Sequence, residues 1–477
     1  MKTTASFIGL TAVLAILCAG SPDARAAARP DVWFIVVDDL NDWIRLLDKD
    51  APIRTPNLER LASRGVLFER AYTASPACNP SRVAVLTGLR PATSGVYGNK
   101  TDWRRALPDA VTLPRHFMDH GYRVEGAGKI FHHHYGGAFH DADSFHAFQG
   151  MPDPPDAPMP ARKLNGLSWY GSPNTDWGIW PAREADHVDV RTVDFCIGRL
   201  RAKRDRPLFL ACGIFRPHMP FFAPARWVDQ YPKTGLELPE LKDGDTADIP
   251  SGGQALLKQK AWFWKGMLKA EKETPGAWRD AVRAYQACAG FADAQVGRLL
   301  DALEASGRAD STVIVLWSDH GYHLGEKTHW EKFALWEKTT HVPFLIVAPG
   351  VAKAGGVCHR PVDLMSVYPT LIELCGLTPK PELDGVSLVP LLRAPDAPWE
   401  RPAVMTYQRG NHAVRSERWR YIRYADGSEE LYDHSNDPNE WTNLADDPGR
   451  QDIKARLRKW LPKQSAKPAP DLKRPKR

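Results

Sequence analysis

The sequence has few cysteines and no long apolar segment beyond its N-terminus. Its 477 residues include seven cysteines, without the short repeated spacing of a metal knuckle. Cys18 falls in an N-terminal leader, and a chemically used Cys78 would leave five thiols, enough for two disulfides at most. A disulfide-dense scaffold is therefore excluded, and a large buried core must supply most of the stability. The remaining cysteines are at positions 196, 212, 288, 358 and 375.

The N-terminus has the pattern of a secretory signal peptide. Lys2 precedes an apolar run over residues 7–19, and Ala24 and Ala26 fit a small-x-small cleavage site. The run is too short to span a bilayer. A lipoprotein attached through Cys18 is the less favoured alternative, because Leu17 stands where a small residue is expected. Residues 1–26 are predicted to be removed, which gives a secreted or periplasmic protein without stable membrane insertion.

Excess charge is missing from most of the chain. The net charge is +6, of which residues 463–477 carry +5 and the leader +1, so the remainder balances to zero. This distribution excludes a broad basic face and gives no indication of a nucleic-acid partner. Prolines among the lysines of residues 463–477 predict a disordered basic tail.

Short apolar runs alternate with helical patterns through the first four-fifths of the chain. Such runs predict strands that are buried on both faces. The alternation predicts an α/β domain over residues 27–397, with a large, mostly parallel sheet between helices and functional loops at the carboxyl ends of the strands. The predicted strands are residues 32–37, 208–215, 313–317 and 344–348, and the predicted helices are residues 58–64, 285–306 and 365–374.

Residues 398–462 have a different pattern, which predicts a smaller α+β subdomain with an antiparallel sheet. Its alternating stretches are residues 403–407, 413–416, 419–424 and 429–432, followed by a helix over 452–460. The Pro-rich segment 151–161 and the polar stretch 233–254 are predicted to be surface insertions. Loops of this kind often determine substrate specificity.

Two adjacent carboxylates, Asp38 and Asp39, follow the first predicted strand. They would repel each other unless a cation or hydrogen-bond donors compensate them. In an isolated Asp-Asp pair, one carboxylate more often caps the following turn while the other is solvated. The position at a strand end favours a metal site, because hard carboxylate oxygens suit calcium or magnesium.

The second informative segment is Cys78-Asn79-Pro80-Ser81-Arg82, followed by Thr87-Gly88. Pro80 fits the first turn of a helix, where its missing N–H is not needed. Cys78 is then expected near the helix N-terminus, a position that favours negative charge, with Arg82 one turn on. A lone cysteine is usually a small buried hydrophobe, but this combination is much more specific.

The segment resembles the signature of the type I sulfatases, in the alkaline phosphatase superfamily, and the resemblance extends over residues 30–460. It implies an alkaline phosphatase-like fold. It also implies that a maturation enzyme oxidises Cys78 to formylglycine, an aldehyde present as its hydrate. In that family one hydroxyl of the hydrate attacks sulfur and displaces the alcohol. The second then loses a proton and expels sulfate as the aldehyde reforms.

The segment Ser318-Asp319-His320-Gly321 follows another apolar strand. By itself, such a segment is a structural turn as often as it is a functional site. The resemblance implies a metal site formed by five residues of this chain. It implies Ca²⁺. Mg²⁺ stays open as the alternative, because His320 replaces the commoner Asn and its imidazole is a softer ligand. The implied ligands are Asp38, Asp39, Asp319, His320 and the modified Cys78.

Further cationic residues fit a sulfate pocket. In the iduronate-2-sulfatase-like branch, which this chain resembles most, Lys129 binds the sulfate and His132 serves as base toward the hydrated aldehyde. The run His132-His133-His134 can alternatively be a solvated loop. His133 is the alternative to His132 as the imidazole that faces the site. By the same resemblance, His218 contacts the sulfate and protonates the departing alcohol, and the prolines at 217 and 220 stiffen its loop.

In the same branch, the spacing from Asp319-His320 favours Lys332 over its competitor Lys327 as the second sulfate-binding lysine. The resemblance thus implies that Arg82, Lys129 and Lys332 are fixed donors around the sulfuryl oxygens. A sulfated sugar or polysaccharide is the expected substrate, and Tyr407, His412 and Arg415 are candidate contacts. Two alternatives stay open. One is phosphoester or phosphonate hydrolysis on the same fold, and the other is a noncatalytic secreted glycan-binding protein.

Overall fold

The computed structural model describes residues 29–132 and 139–472. The predicted signal peptide, His133 and His134 lie outside these ranges. Within them, no helix is both long enough and apolar enough to cross a membrane. The cysteines at 78, 196, 212, 288, 358 and 375 are all free thiols.

The strands of the described ranges form one large sheet and several small ones. In chain order they are β1 Asp31–Val37, β2 Val66–Phe68, β3 Ala71–Tyr72, β4 Arg123–Gly128, β5 Ala147–Gln149, β6 Trp177–Ile179, β7 Leu208–Ile214, β8 Phe221–Ala223, β9 Thr312–Ser318, β10 His323–Leu324, β11 Trp330–Glu331, β12 Phe344–Val347, β13 Gly356–Cys358, β14 Val362–Asp363, β15 Ala403–Thr406, β16 His412–Arg415, β17 Trp419–Arg423 and β18 Glu429–Asp433.

The α-helices range from single turns to 29 residues. In chain order they are α1 Pro56–Ala62, α2 Cys78–Thr87, α3 Pro91–Ser94, α4 Trp103–Ala106, α5 Leu113–Asp119, α6 Val188–Arg201, α7 Ala225–Val228, α8 Ser251–Glu273, α9 Ala277–Ala305, α10 Glu337–Thr340, α11 Val367–Leu374, α12 Val389–Arg393 and α13 Gln451–Arg458.

The central sheet confirms the predicted α/β fold. Its strand order is β13-β2-β12-β9-β1-β7-β4-β5, and only β12 runs antiparallel to the others in this sheet of the described residues. Trp33, Ile35 and Val37 of β1 belong to the hydrophobic core that contains α9. Phe34 and its alternate neighbours belong to the core on the opposite face, with α2 and α11. Helices thus cover both faces, which is why β7 and β9 are buried along their whole length.

The helices beside the sheet differ from the prediction at two places. Helix α9 begins at Ala277, before the predicted residue 285, and the prediction missed α8. Lysines and glycines separate the apolar residues of α8, which obscures its helical period in the sequence. In the structure Phe263, Trp264 and Met267 nevertheless fall on its buried side.

The C-terminal sheet has the order β15-β16-β17-β18 and is antiparallel, as predicted. One of its faces packs against α13. Met405 and Ile422 on the other face share a core with Ala77 and Trp336 of the larger domain. The small sheet therefore packs directly behind the segment that leads into Cys78.

The prediction of disorder is wrong for the first part of the basic tail. The backbone N–H groups of Ala466, Ala469 and Leu472 donate to the carbonyls of residues 92, 95 and 100, at 2.7 to 2.9 Å. An extended chain does not satisfy its own backbone N–H and C=O groups, and here these groups pair with a neighbouring segment. Residues 473–477 lie outside the described ranges.

Candidate active site

The ends of β1 and β9 bring together the two polar residues that directly follow each strand. β1 and β9 are parallel neighbours, with Val37 opposite Ser318, so the residues after them meet at one edge of the sheet. Successive strand residues point to opposite faces. Asp39 leaves the strand pattern with a left-handed φ of 63°, and its N–H donates to Asp319 Oδ1 at 3.1 Å. Aspartate tolerates this conformation better than most residues.

Cys78 is the first residue of α2 and is buried, as the prediction of a helix N-terminus requires. Its Sγ lies 3.2 Å from His320 Nε2 and 3.8 Å from Lys129 Nζ. The thiol therefore faces both the carboxylate cluster and a lysine. Cys78 and His320, which the resemblance assigns to one metal site, are 242 positions apart in the chain.

Arg82 lies behind the carboxylates. Its Nη2 donates to Asp38 Oδ1 at 3.0 Å, and its Nε donates to Asp319 Oδ2 at 2.8 Å. Its Nη1 donates to the carbonyls of Lys129 and Ile130. Because a guanidinium has five N–H groups, at most one is left for another ligand. In this structure the main role of Arg82 is to hold the two carboxylates in place, because few of its N–H groups are left to point into the pocket.

A lysine pairs with each carboxylate of the Asp38-Asp39 pair. Lys129 Nζ donates to Asp38, and Lys332 Nζ lies 2.9 and 2.8 Å from the two carboxylate oxygens of Asp39. Burial would raise the pKa of Asp38, but Lys129 and Arg82 together hold that pKa well below its usual range. For Asp39, burial and the charge of Asp38 outweigh Lys332, so its pKa is raised.

Four of the five predicted metal ligands form a compact donor cluster. One ligand atom from each of Asp38, Asp39, Cys78 and His320 lies within 4.8 Å of all the others. His320 Nδ1 donates to the carbonyl of Gly321 at 3.1 Å, which directs Nε2 toward Cys78 and Asp39. Burial lowers the pKa of His320, but Asp319, Cys78 and Asp39 raise it to about 9. The concentration of acceptors thus fits a bound cation.

Asp319, the fifth predicted ligand, lies at the edge of this cluster. Its Oδ2 is 3.5 Å from His320 Nε2 and accepts a hydrogen bond from Arg82. Its Oδ1 accepts from the N–H groups of Asp39 and His320. The structure therefore places Asp319 next to the donor cluster, with its oxygens already partnered.

Two predicted histidines lie near the lysine side of the pocket. His218 Nδ1 donates to the carbonyl of Met219, and its ring packs 4.7 Å from Phe215. Burial, reinforced by the charge of Lys129, holds the pKa of both His132 and His218 well below the usual value. Both imidazoles are therefore neutral near pH 7, the form that accepts a proton.

The structure separates the two candidate lysines. Lys332 contacts Asp39, whereas Lys327 pairs with Asp245 at 2.6 Å and with the carbonyl of Glu440. Lys332 is the one that reaches the candidate site.

The three candidate sugar contacts of the C-terminal sheet have different environments. Arg415 is occupied by an ion pair with Glu337, at 3.1 Å. His412 hydrogen-bonds Thr406 at 2.9 Å. The ring of Tyr407 lies 6.0 Å from that of Phe333, the residue after Lys332. Only Tyr407 among them is thereby linked to the candidate site.

The sequence analysis missed residues that orient the site without reaching its centre. Thr73 and Ser81 both donate to the carbonyl of Asp319, each at 2.6 Å. Tyr285 donates to the carbonyl of Asp39 at 2.8 Å and accepts from the N–H of Asn41. Only Ser81 had a signal in the sequence, because it belongs to the Cys78 motif.

Comparison with known proteins identifies the family. The profile described as Sulfatase matches residues 30–377. The chain belongs to the sulfatase family. It is an enzyme that hydrolyses sulfate esters, as predicted. The profile described as N-sulphoglucosamine sulphohydrolase, C-terminal, matches residues 325–467 and so includes the small antiparallel sheet.

Similar proteins, aligned over most of the length of this chain, support the assignment to the sulfatase family. A sulfatase of Formosa agariphila is 38% identical over 458 residues, covering 92% of this chain and 87% of that protein. Choline-sulfatase of Rhizobium meliloti is 29% identical, with 88% and 83% covered. Human iduronate 2-sulfatase is 28% identical, with 80% and 76% covered.

Solved structures show the same fold. A phosphonate monoester hydrolase from Silicibacter pomeroyi has a TM-score of 0.74 at 22% identity, covering 91% of this chain and 94% of that one. A 2-O GAG sulfatase has a TM-score of 0.69 at 24% identity, with 91% of each chain covered. At these identities the likeness concerns the fold alone.

Proposed function

We propose that this sulfatase releases inorganic sulfate from a sulfated uronic acid, alone or within a saccharide chain, outside the cytoplasm. The single observation that carries the proposal is the position of Cys78. Its Sγ lies among His320, Lys129 and the paired aspartates at the end of the central sheet. The similarity to human iduronate 2-sulfatase supports a uronic acid substrate.

In this proposal Cys78 is oxidised to formylglycine by a maturation enzyme. The hydrated aldehyde would supply one hydroxyl that attacks sulfur and displaces the alcohol, and a second hydroxyl whose deprotonation expels sulfate, with its bridging oxygen, as the aldehyde reforms. Burial and the charge of Lys129 lower the pKa of His132, so its imidazole is uncharged near pH 7 and has a lone pair that can accept a proton. Lys129 and Lys332 hold positive charge beside the place where the sulfuryl oxygens would lie, and Arg82 keeps Asp38 and Asp319 aligned.

The donor cluster fits a divalent cation. Asp38, Asp39 and His320, together with the modified Cys78, would hold it, and Asp319 would complete the set. When bound, the ion supplies positive charge to the sulfuryl group. We propose Ca²⁺, because most of the donors are hard oxygens, with Mg²⁺ as the alternative. Elemental analysis of the purified active enzyme tests this, and a fully active, metal-free protein would contradict it.

The substrate class is tested by comparing 4-nitrophenyl sulfate with 4-nitrophenyl phosphate on the matured enzyme. We expect the sulfate ester to have the higher kcat/KM. A strong preference for the phosphate would instead support the phosphoester alternative. Absence of turnover by fully matured protein that still binds sulfated saccharides would support a noncatalytic glycan-binding protein.

Lys332→Met is expected to lower kcat for 4-nitrophenyl sulfate about 100- to 1,000-fold, because it removes one fixed donor from the pocket. Lys327→Met is the matched control, since it removes a buried lysine that pairs with Asp245. We expect Lys327→Met to lower thermal stability while leaving kcat of the folded enzyme within about threefold. If Lys327→Met shows the larger loss of kcat, the assignment of Lys332 is wrong.

A further inference from the structure

The ammonium group of Lys260 lies beside the candidate active site. Lys260 is on α8, and its Nζ is 4.2 Å from the centre of the Phe333 ring. Phe333 follows Lys332, whose Nζ is 5.8 Å from the same ring. These distances place the two ammonium groups within about 10 Å of each other. Lys332 is buried against Asp39, whereas Lys260 and Phe333 are half-buried.

The backbone conformation around Phe333 places its ring next to both lysines. Glu331 and Phe333 both have a φ of 80°, a left-handed backbone conformation that residues other than glycine rarely adopt. The N–H of Phe333 donates to the carbonyl of Pro76 at 3.0 Å, just before Cys78 in the chain. The side chain of Lys332 reaches Asp39, and the ring of the next residue lies under Lys260.

Contacts with the C-terminal sheet hold the α8 side of this arrangement. Gln259 and Gln408 exchange side-chain hydrogen bonds, at 2.6 and 3.4 Å. Tyr407, next to Gln408, packs 6.0 Å from Phe333. Lys260 is therefore on a supported helix and not on a free loop.

The charge of Lys260 is poorly compensated by the protein. Its ring contacts are Phe333 and, at 5.8 Å, Phe263. Among the residues that the structure describes, no carboxylate forms a salt bridge with it, in contrast to Lys327 and Lys332. Burial raises the pKa of nearby Glu331 to about 7, although the charges of Lys332 and Lys260 oppose this. An ammonium held over an aromatic face can still bind an anion.

We propose that Lys260 is a specificity-determining residue that binds a second anionic group of the substrate. This group is a carboxylate or an additional sulfate, on the sugar that carries the hydrolysed sulfate or on its neighbour. The inference rests on the proposed sulfatase reaction on saccharides. Because Lys260 does not touch the donor cluster, it adds affinity for anionic saccharides and leaves the chemical step unchanged.

Kinetics with matched substrates test the proposal. The substrates are 4-nitrophenyl sulfate, a sulfated hexuronate disaccharide, its carboxyl-reduced counterpart, and the same disaccharide with one more sulfate. We expect Lys260→Met to raise KM about tenfold for the substrates whose second anion Lys260 binds. The carboxyl-reduced substrate shows whether that anion is the carboxylate, and the extra sulfate shows whether it is a sulfate. Turnover of 4-nitrophenyl sulfate should stay within about twofold.

Lys258→Met is the control, because Lys258 is an exposed lysine on the same helix. It should leave every substrate unchanged. Equal losses on all substrates for Lys260→Met, or no change on any, would overturn the proposal.

Direct binding separates this inference from the proposed function. The hexuronate disaccharide is titrated calorimetrically into Cys78→Ala and into Cys78→Ala with Lys260→Met. About tenfold weaker binding by the double variant supports the role of Lys260, and equal binding overturns it. This holds even if the wild type releases no sulfate, a result that would contradict the proposed function by itself.

Discussion

Replacing Cys78 by alanine is expected to lower kcat/KM for 4-nitrophenyl sulfate by about a million-fold, the scale on which enzymes lose activity with their nucleophile. The buried thiol is small, so alanine removes the reacting group while preserving the helix N-terminus and the surrounding core. The loss should appear in kcat, with the thermal unfolding temperature within a few degrees of the wild type. Initial rates and a melting curve on the same sample check both expectations.

Cys375→Ala is the matched control for this prediction. Cys375 is also buried and free, but it lies in the core formed by α11 on one face of the sheet. We expect its kcat to equal that of the wild type. Activity of Cys78→Ala within tenfold of the wild type would show that another group is the nucleophile.

Arg82→Met is expected to lower the free energy of unfolding by about 3–5 kcal/mol, the cost of removing one partner from a buried ion pair. Arg82 is fully buried and bridges Asp38 and Asp319, so methionine leaves both carboxylates without their shared cation. The kcat of the folded variant for 4-nitrophenyl sulfate should also fall about 100-fold or more, because the two carboxylates lose their alignment. Chemical denaturation and initial rates measure the two effects.

Arg115→Met provides the comparison for Arg82→Met. Arg115 pairs with Asp119 on the surface of α5, where both side chains are more than 40% exposed. Surface ion pairs of this kind contribute about 0–1 kcal/mol. A loss for Arg82→Met no larger than that for Arg115→Met would contradict the structural role given to Arg82.

The parts of this protein that the sequence predicts are those with local signals. Buried strands are recognisable as apolar runs, and polar residues that follow them gather at one sheet edge, as Asp39 and Asp319 do. The position of Pro80 predicts that Cys78 lies near a helix N-terminus, and Cys78 is the first residue of α2. Local sequence does not reveal whether Lys327 or Lys332 turns inward, so only the family resemblance favours Lys332.

Long-range packing explains what the sequence did not predict. The antiparallel direction of β12 depends on how its connections cross the sheet. Lys260 is 73 positions from Phe333 along the chain, and no motif links them. The tail over residues 466–472 is ordered by backbone bonds to residues 92–100, which composition does not reveal. Such contacts follow from the assembled fold.

Peptide mass spectrometry of residue 78, combined with the rate of sulfate release from the same protein, tests the central claim most directly. Preparations made with and without a formylglycine-forming maturation enzyme will differ in the fraction of Cys78 that has lost its sulfur. We predict that kcat per mole of protein rises in proportion to that fraction and extrapolates to zero for the unmodified thiol. Full sulfatase activity in a preparation that retains sulfur at position 78 throughout would contradict it.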